Sequence, residues 1–183
     1  MQFLICIITL LILATFWAGS SVSAAAPPKI PTVAVVLLGS PEYQTTDYYQ
    51  ITRESLLPRF PAERCTLVIG DHPQQMYDRF SDKQGLLPGA IPDDDKLLEF
   101  AWSNSFDEVI FLLVSAPHIR GKDISVQWEK IEVSINARAL RIESRARKIA
   151  ADSAVTETSR LYHRKLAIQS AFRQCVEHLR DQL

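Results

Sequence analysis

The chain has 183 residues, 47% of them hydrophobic, and its 20 basic and 21 acidic residues leave a formal charge of −1. So even a balance creates no field that would gather nucleic acid or an anionic membrane surface. The length suits one domain with a real buried core.

The first 24 residues stand apart. From Phe3 to Ala18 the chain is almost unbroken apolar sequence, and Gly19, Ser20 and Ser21 follow. Val22 and Ala24 supply the small residues that a signal peptidase accepts at −3 and −1, so cleavage is expected between Ala24 and Ala25. No Lys or Arg precedes the run, which leaves only the α-amino group as positive charge. The rival reading is an uncleaved anchor, for which the run is short: a spanning helix needs roughly 20 residues. Cys6 lies inside the run and not at a lipid-attachment position. Residues 25–31 form a Pro-rich extended spacer, and 32–183 is read as one domain.

Thr32 to Leu38 is short, β-branched and apolar on both faces, the pattern of a central strand covered on two sides. Gly39-Ser40-Pro41 turns it. Thr45 or Thr46 caps a helix whose inner face carries Tyr48, Tyr49, Ile51, Thr52 and Leu56, and Pro58 ends it. Arg64 to Ile69 is a second strand, closed by Gly70-Asp71. Pro73, Met76, Tyr77 and Phe80 give the next helix one apolar stripe, and Ser81 to Ile91 reads as a loop. Asp93, Asp94 and Asp95 favour a helix start, where free N–H groups and the dipole attract negative charge. Leu97, Leu98, Ala101 and Trp102 are its expected buried face.

Val109 to Val114 is the second wholly apolar strand. Ser115 to Asp123 reads as a loop. Ile131, Val133, Ile135, Ala137 and Ala139 then alternate with Glu132, Ser134, Asn136 and Arg138, a strand with one wet face that belongs in an antiparallel, partly exposed part of the sheet. Leu140 to Thr158 suits either a return strand or a helix; the hairpin is preferred because the preceding strand is long and needs a partner. Ile168, Ala171, Phe172, Cys175, Leu179 and Leu183 mark an amphipathic terminal helix. The sum is an α/β fold: a three-layer mixed sheet with two buried central strands, a long antiparallel hairpin and a C-terminal amphipathic helix.

Motifs for chemistry are sparse. There is no G-x-S-x-G elbow, and one glycine after the first strand is too few for a nucleotide loop. His72, His118, His163 and His178 share no metal-ligand spacing with one another or with a Cys, so no metal and no cofactor is expected. Ser40, His72 and His118 all follow strands, and open α/β sheets bind ligands beyond strand carboxyl ends. They are the candidate ligand-binding rim; turn and capping roles are the alternative. Tyr43, Arg138, Arg141 and Arg145 are candidates for a partner surface, against core packing for Tyr43 and a solvated edge for the arginines. Cys65 and Cys175 would close one disulfide after export, or stand as separate buried thiols.

The order strand, helix, strand, helix, strand, long hairpin, terminal helix resembles a group of small envelope proteins. They are the curli-secretion channel lipoprotein, the penicillin-binding-protein activator lipoprotein and the amino-terminal domain of the Tol-system protein TolB. The likeness is carried by Val33–Leu38, Val109–Val114, Ile131–Arg141 and Ala167–Phe172. It implies a non-enzymatic envelope role in binding or assembly; the expected partner is a protein or a cell-wall component, with a homo-oligomer built through the hairpin as a further option, and the charge balance gives no sign of nucleic-acid binding. It assigns no site residue, and the chain lacks the lipid-bearing Cys of the lipoprotein members. The other expectation is a small extracytoplasmic enzyme or ligand-binding protein with a pocket at the strand ends.

Overall fold

The structure, a computed structural model, describes residues 29–87, 90–121 and 130–183. The expected leader and its cleavage point at Ala24–Ala25 lie outside those residues. The elements in chain order are β1 (Thr32–Gly39), α1 (Thr46–Leu56), β2 (Thr66–Ile69), α2 (Asp71–Lys83), α3 (Asp94–Ser103), β3 (Glu108–Val114), β4 (His118–Arg120), β5 (Ile131–Glu143), β6 (Lys148–Leu161) and α4 (Arg164–Arg180). A short 3₁₀ turn at Pro41–Tyr43 follows β1.

The sheet is mixed. β1 runs parallel to β2 on one side and to β3 on the other. β5 runs antiparallel to β3, with Val114 opposite Ala137. β4 continues along the same edge of β5, with His118 opposite Ser134. β6 pairs with the other edge of β5 over nearly its full length.

Layering follows from the two apolar strands. Val33, Val35, Leu37, Ile110 and Leu112 pack beneath α1 and α4. Ala34, Val36, Leu38, Val109, Phe111 and Leu113 pack beneath α2 and α3. Side chains on both faces leave water, at roughly 1.5–3 kcal/mol for each large one, which is why neither strand alternates in polarity. β5 does alternate: Ile131 to Ala139 bury their odd-numbered side chains under α4. On its other face the polar residues give way to buried Leu140 and Ile142, where they join the α2–α3 core.

The return strand of the hairpin is present as β6. The intervening turn needs a left-handed residue, Arg147 at φ 49°. The register slips beside Arg141 and Ile142, which pair with Ala151 and Ile149, so a bulge falls at Ala150. Among the described residues no helix is long and apolar enough to cross a membrane.

Four sequence expectations need correction. The stretch read as a loop after β3 contains β4, held by pairing to β5 and not by its own pattern. α2 runs on to Lys83, into the segment read as a loop. Trp102 is 54% exposed, while Phe100 takes the core position beside Leu97 and Ala101; the Trp102 ring instead carries the Arg147 guanidinium 3.5 Å from its centroid. The disulfide does not form, since Cys65 and Cys175 are free buried thiols. Cys65 adjoins Thr66, level with the Glu108–Glu143 end of the sheet, whereas the Cys175 thiol donates to the Ile135 carbonyl at 3.6 Å. Those levels are about 25 Å apart along β5 at the rise of a strand, and a disulfide needs Cα atoms within about 7 Å.

Candidate functional site

Two features of the fold have the form of a site: a cleft at the carboxyl end of β1 and the outer side of the hairpin.

The cleft follows from the shortness of β2. That strand stops at Ile69, opposite Val35, so β1 continues without a neighbour on that side. Buried backbone groups need partners, and two glutamines supply them. The Leu37 N–H donates to Gln74 Oε1 at 3.3 Å, and Gln44 Nε2 donates to the Leu37 carbonyl at 3.1 Å. Beyond these amides lies a cleft of about 370 Å³, walled by Tyr77, Asp78, Ser81 and Asp82 of α2 and floored by Leu38 and Gly39. Gln74 Nε2 also donates to Asp78 at 3.2 Å. Tyr77 is buried, and its hydroxyl has no hydrogen-bond partner. Burial, and secondarily the Asp78 charge, pushes that hydroxyl up to about 12, so at neutral pH it keeps its proton. A buried hydroxyl without a partner costs about 1–3 kcal/mol.

The hairpin has a face and an edge, and they differ. On the open face every polar rung is closed within the hairpin. Arg160 donates to Glu132 at 2.6 Å, Ser134 meets Thr158 at 2.9 Å, and Thr156 donates to Asn136 at 2.6 Å. Arg138 donates twice to Asp152, at 2.8 Å each, and twice to Asp94 of α3, at 3.1 and 3.0 Å. These hydrogen bonds, Asp152 first, hold the Arg138 guanidinium in its charged form more firmly than usual. The outer edge of β6 is different: among the described strands β6 pairs with β5 alone. Where β6 meets α4, Leu161, Tyr162 and Leu166 are exposed.

The residues singled out from sequence fall as follows. The Ser40 hydroxyl donates to Glu42 at 3.0 Å, and its N–H donates to the Val114 carbonyl. His72 stands in the first turn of α2 with its ring 6.2 Å from Phe106. His118, in β4, accepts from Arg120 at 3.3 Å. Among the described residues no hydrogen bond joins any two of these three. Tyr43 is not a surface residue: it is 1% exposed, stacked on Phe172 and edge-on to Tyr48. Arg141 is likewise committed inside the fold, with two bonds to Glu108 at 2.8 and 3.1 Å and one to the Leu183 carbonyl at 2.8 Å. Arg145 remains exposed and pairs with Asp107 at 2.9 Å. Sequence reading missed Gln74, Asp78 and Asp82, which form a polar stripe beside the apolar stripe of the same helix.

No protein-family model matches the chain, and no curated protein matches it. Similar solved structures include the hypothetical protein CT253 from Chlamydia trachomatis, 13% identical with a TM-score of 0.44, covering 84% of this chain and 98% of that one. Lipoprotein GNA1162 from Neisseria meningitidis is also 13% identical, with a TM-score of 0.44 and coverage of 81% and 96%. The C-terminal domain of LpoB from Salmonella enterica is 12% identical, with a TM-score of 0.36 and coverage of 74% and 87%. Lipoproteins are thus among the similar structures, the class that the order of elements resembles. At this level of similarity the likeness concerns fold and carries nothing about activity.

Proposed function

We propose that the chain is an exported, non-enzymatic binding or assembly module that takes a protein partner of the cell envelope along the free edge of β6. One observation supports this: β6 is 14 residues long, and among the described strands only β5 pairs with it. Alternate residues of such an edge turn their N–H and C=O groups outward, ready for another strand. Proteins usually blunt an edge by keeping it short, as β2 does with four residues, or by covering it. Here Lys148, Asp152, Glu157 and Arg160, with the bulge at Ala150, discourage random pairing without closing the edge. The open face makes its own polar bonds, which leaves the backbone edge, to which no second described strand is paired, as the part that can take a partner. An extended segment of a partner would add as a further strand. Export rests on residues 1–24, read as a leader removed after Ala24.

The test is a photo-crosslinker at Thr158 in the full chain, activated in intact envelopes. One stoichiometric protein partner is the expected product. Capture of a second copy alone would make the assembly a homo-oligomer, and no product would end the reading. Val155→Pro and Thr156→Pro then locate the contact. Neighbouring residues point their N–H groups to opposite sides of a strand, so one proline breaks the ladder to β5 and the other removes an outward donor. The variant that keeps its melting temperature should lose the partner.

A further inference from the structure

The backbone of the hairpin fixes which residues of β6 a partner strand would meet. Asn136 of β5 turns its backbone toward Ser115: its carbonyl accepts from the Ser115 N–H at 2.9 Å, and its N–H donates to the Ser115 hydroxyl at 3.1 Å. Directly opposed residues of an antiparallel ladder either bond each other or both turn away. Thr156 stands opposite Asn136, so its backbone groups point out of the sheet. Ala154 and Thr158, two residues to either side, point the same way, and the three side chains share the open face. A segment added at this edge therefore sets alternate side chains beside Ala154, Thr156 and Thr158.

Ala154 leaves a gap in that face. Leu113, Arg138 and Ala154 form one row across the sheet. A groove of about 440 Å³ lies over the row, lined also by Ile91, Asn136 and Thr156. Its polar groups are already engaged: Thr156 donates to Asn136 at 2.6 Å, and Arg138 commits four of the five N–H donors of a guanidinium to Asp94 and Asp152. Those bonds run in the plane of the guanidinium. What stays open is its flat face, in a side chain that is 34% exposed. Two other arginines of the hairpin already hold a ring: Arg141 has Phe60 at 5.8 Å and Arg147 has Trp102 at 3.5 Å. Among the described residues Arg138 has no such ring.

We infer that the partner supplies it: the segment that adds to β6 carries a Phe, Tyr or Trp level with Ala154, and its ring passes over the alanine methyl onto the Arg138 guanidinium. This rests on the reading of β6 as the docking edge and adds the chemistry of what docks there. The added residue and Arg138 stand two strand spacings apart, about 9.5 Å. An aromatic side chain and an arginine bridge that distance together only where the residue between them is small. The electron-rich face of the ring complements the guanidinium. A cationic side chain would meet the guanidinium itself, and an acidic one would meet Asp94 and Asp152.

Peptides Thr-Val-Thr-X-Thr-Val-Thr, capped at both ends, with X as Phe, Leu or Lys, test the inference by titration calorimetry on the full chain. The Phe peptide should bind roughly fivefold more tightly than the Leu peptide, and the Lys peptide more weakly than either. Ala154→Ile keeps the outward N–H and suits a strand; it should erase the preference for Phe and leave the Leu peptide bound. Arg138→Lys keeps the charge and removes the flat face, so it should erase the same preference. It is read beside its melting curve, because it also breaks the bonds to Asp94 and Asp152. Thr156→Pro, which removes an outward donor, should abolish binding of every peptide. Equal affinity for Phe and Leu, or a preference that survives Ala154→Ile, would overturn the inference and leave β6 standing as the docking edge. No binding of any peptide would overturn it too, and the crosslink at Thr158 then decides the edge on its own.

Discussion

Gly39 shows how much one residue of this fold is constrained by a neighbour far away in the chain. Its φ is +101°, in the region that side chains avoid, and a Cβ added there would stand 2.2 Å from the Val114 carbonyl oxygen. That oxygen cannot retreat easily, because it also accepts from the Ser40 N–H. Gly39→Ala should therefore cost about 3 kcal/mol or more, from strained backbone and steric overlap together. Gly85 is the control. Its φ is +67°, and a Cβ added there would meet nothing within 4 Å, so Gly85→Ala should cost only about 1–2 kcal/mol of backbone strain. Urea unfolding of the two variants measures the contrast, and equal losses would show that the close approach to Val114 does not matter. The sequence makes the turn at Gly39-Ser40-Pro41 legible. It does not reveal the second reason for glycine, which depends on β1 and β3 being paired in register.

At the scale of elements, Asp107 joins three segments at the amino ends of the parallel strands. Its carboxylate accepts the first N–H of β1, from Thr32, at 2.9 Å. It also meets Lys29 at 3.5 Å and Arg145 of the hairpin turn at 2.9 Å. Its backbone exchanges bonds with Thr32 and Ser144. The Thr32 N–H above all, then the Lys29 and Arg145 charges, holds the Asp107 carboxyl below its usual range. The folded state thus favours the ionised form. The resulting stability is present above the unfolded-state value of about 3.9 and is lost as pH falls through the lower folded value. Asp107→Asn should lower the urea midpoint at pH 7 and pH 5 alike, and the gap from the parent chain should close below about pH 4. A gap that persists at pH 2 would mean that the substitution acts through packing and not charge. Elements with strong periodicity were legible from residues alone: β1 and β3 by their continuous apolar runs, β5 by alternation, α4 by its stripe. β4 was not, because three residues carry no period and its existence depends on β5. Trp102 was misplaced because an apolar stripe cannot foresee that Arg147 would cover the ring from outside. The cleft was hidden for a similar reason: Gln74, Asp78 and Asp82 look like a solvated helix face until β2 ends early and leaves Leu37 to be capped.

For the whole molecule, α4 and the residues after it complete the core. α4 buries Ile168, Phe172, Val176 and Leu179 against β5, β6 and α1, and Leu183 just beyond it is buried as well. At roughly 1.5–3 kcal/mol for each large side chain, their burial amounts to about 10 kcal/mol, and an extended-chain reference makes that an upper figure. Ordering the helix offsets part of it. What remains is still comparable with the whole net stability of a domain, about 5–15 kcal/mol. Losing α4 also uncovers Ile131, Val133 and Ile135 of β5, beside the β6 edge, to which no other described strand is paired. A chain ending at His163 should therefore fail to melt cooperatively in calorimetry, bind a hydrophobic dye and aggregate through β6. Adding a peptide of residues 164–183 should restore a cooperative transition. A sharp melt without α4 would mean that β1, β3 and their α2–α3 layer are stable alone, and that the hairpin and terminal helix form a separable unit docked on them.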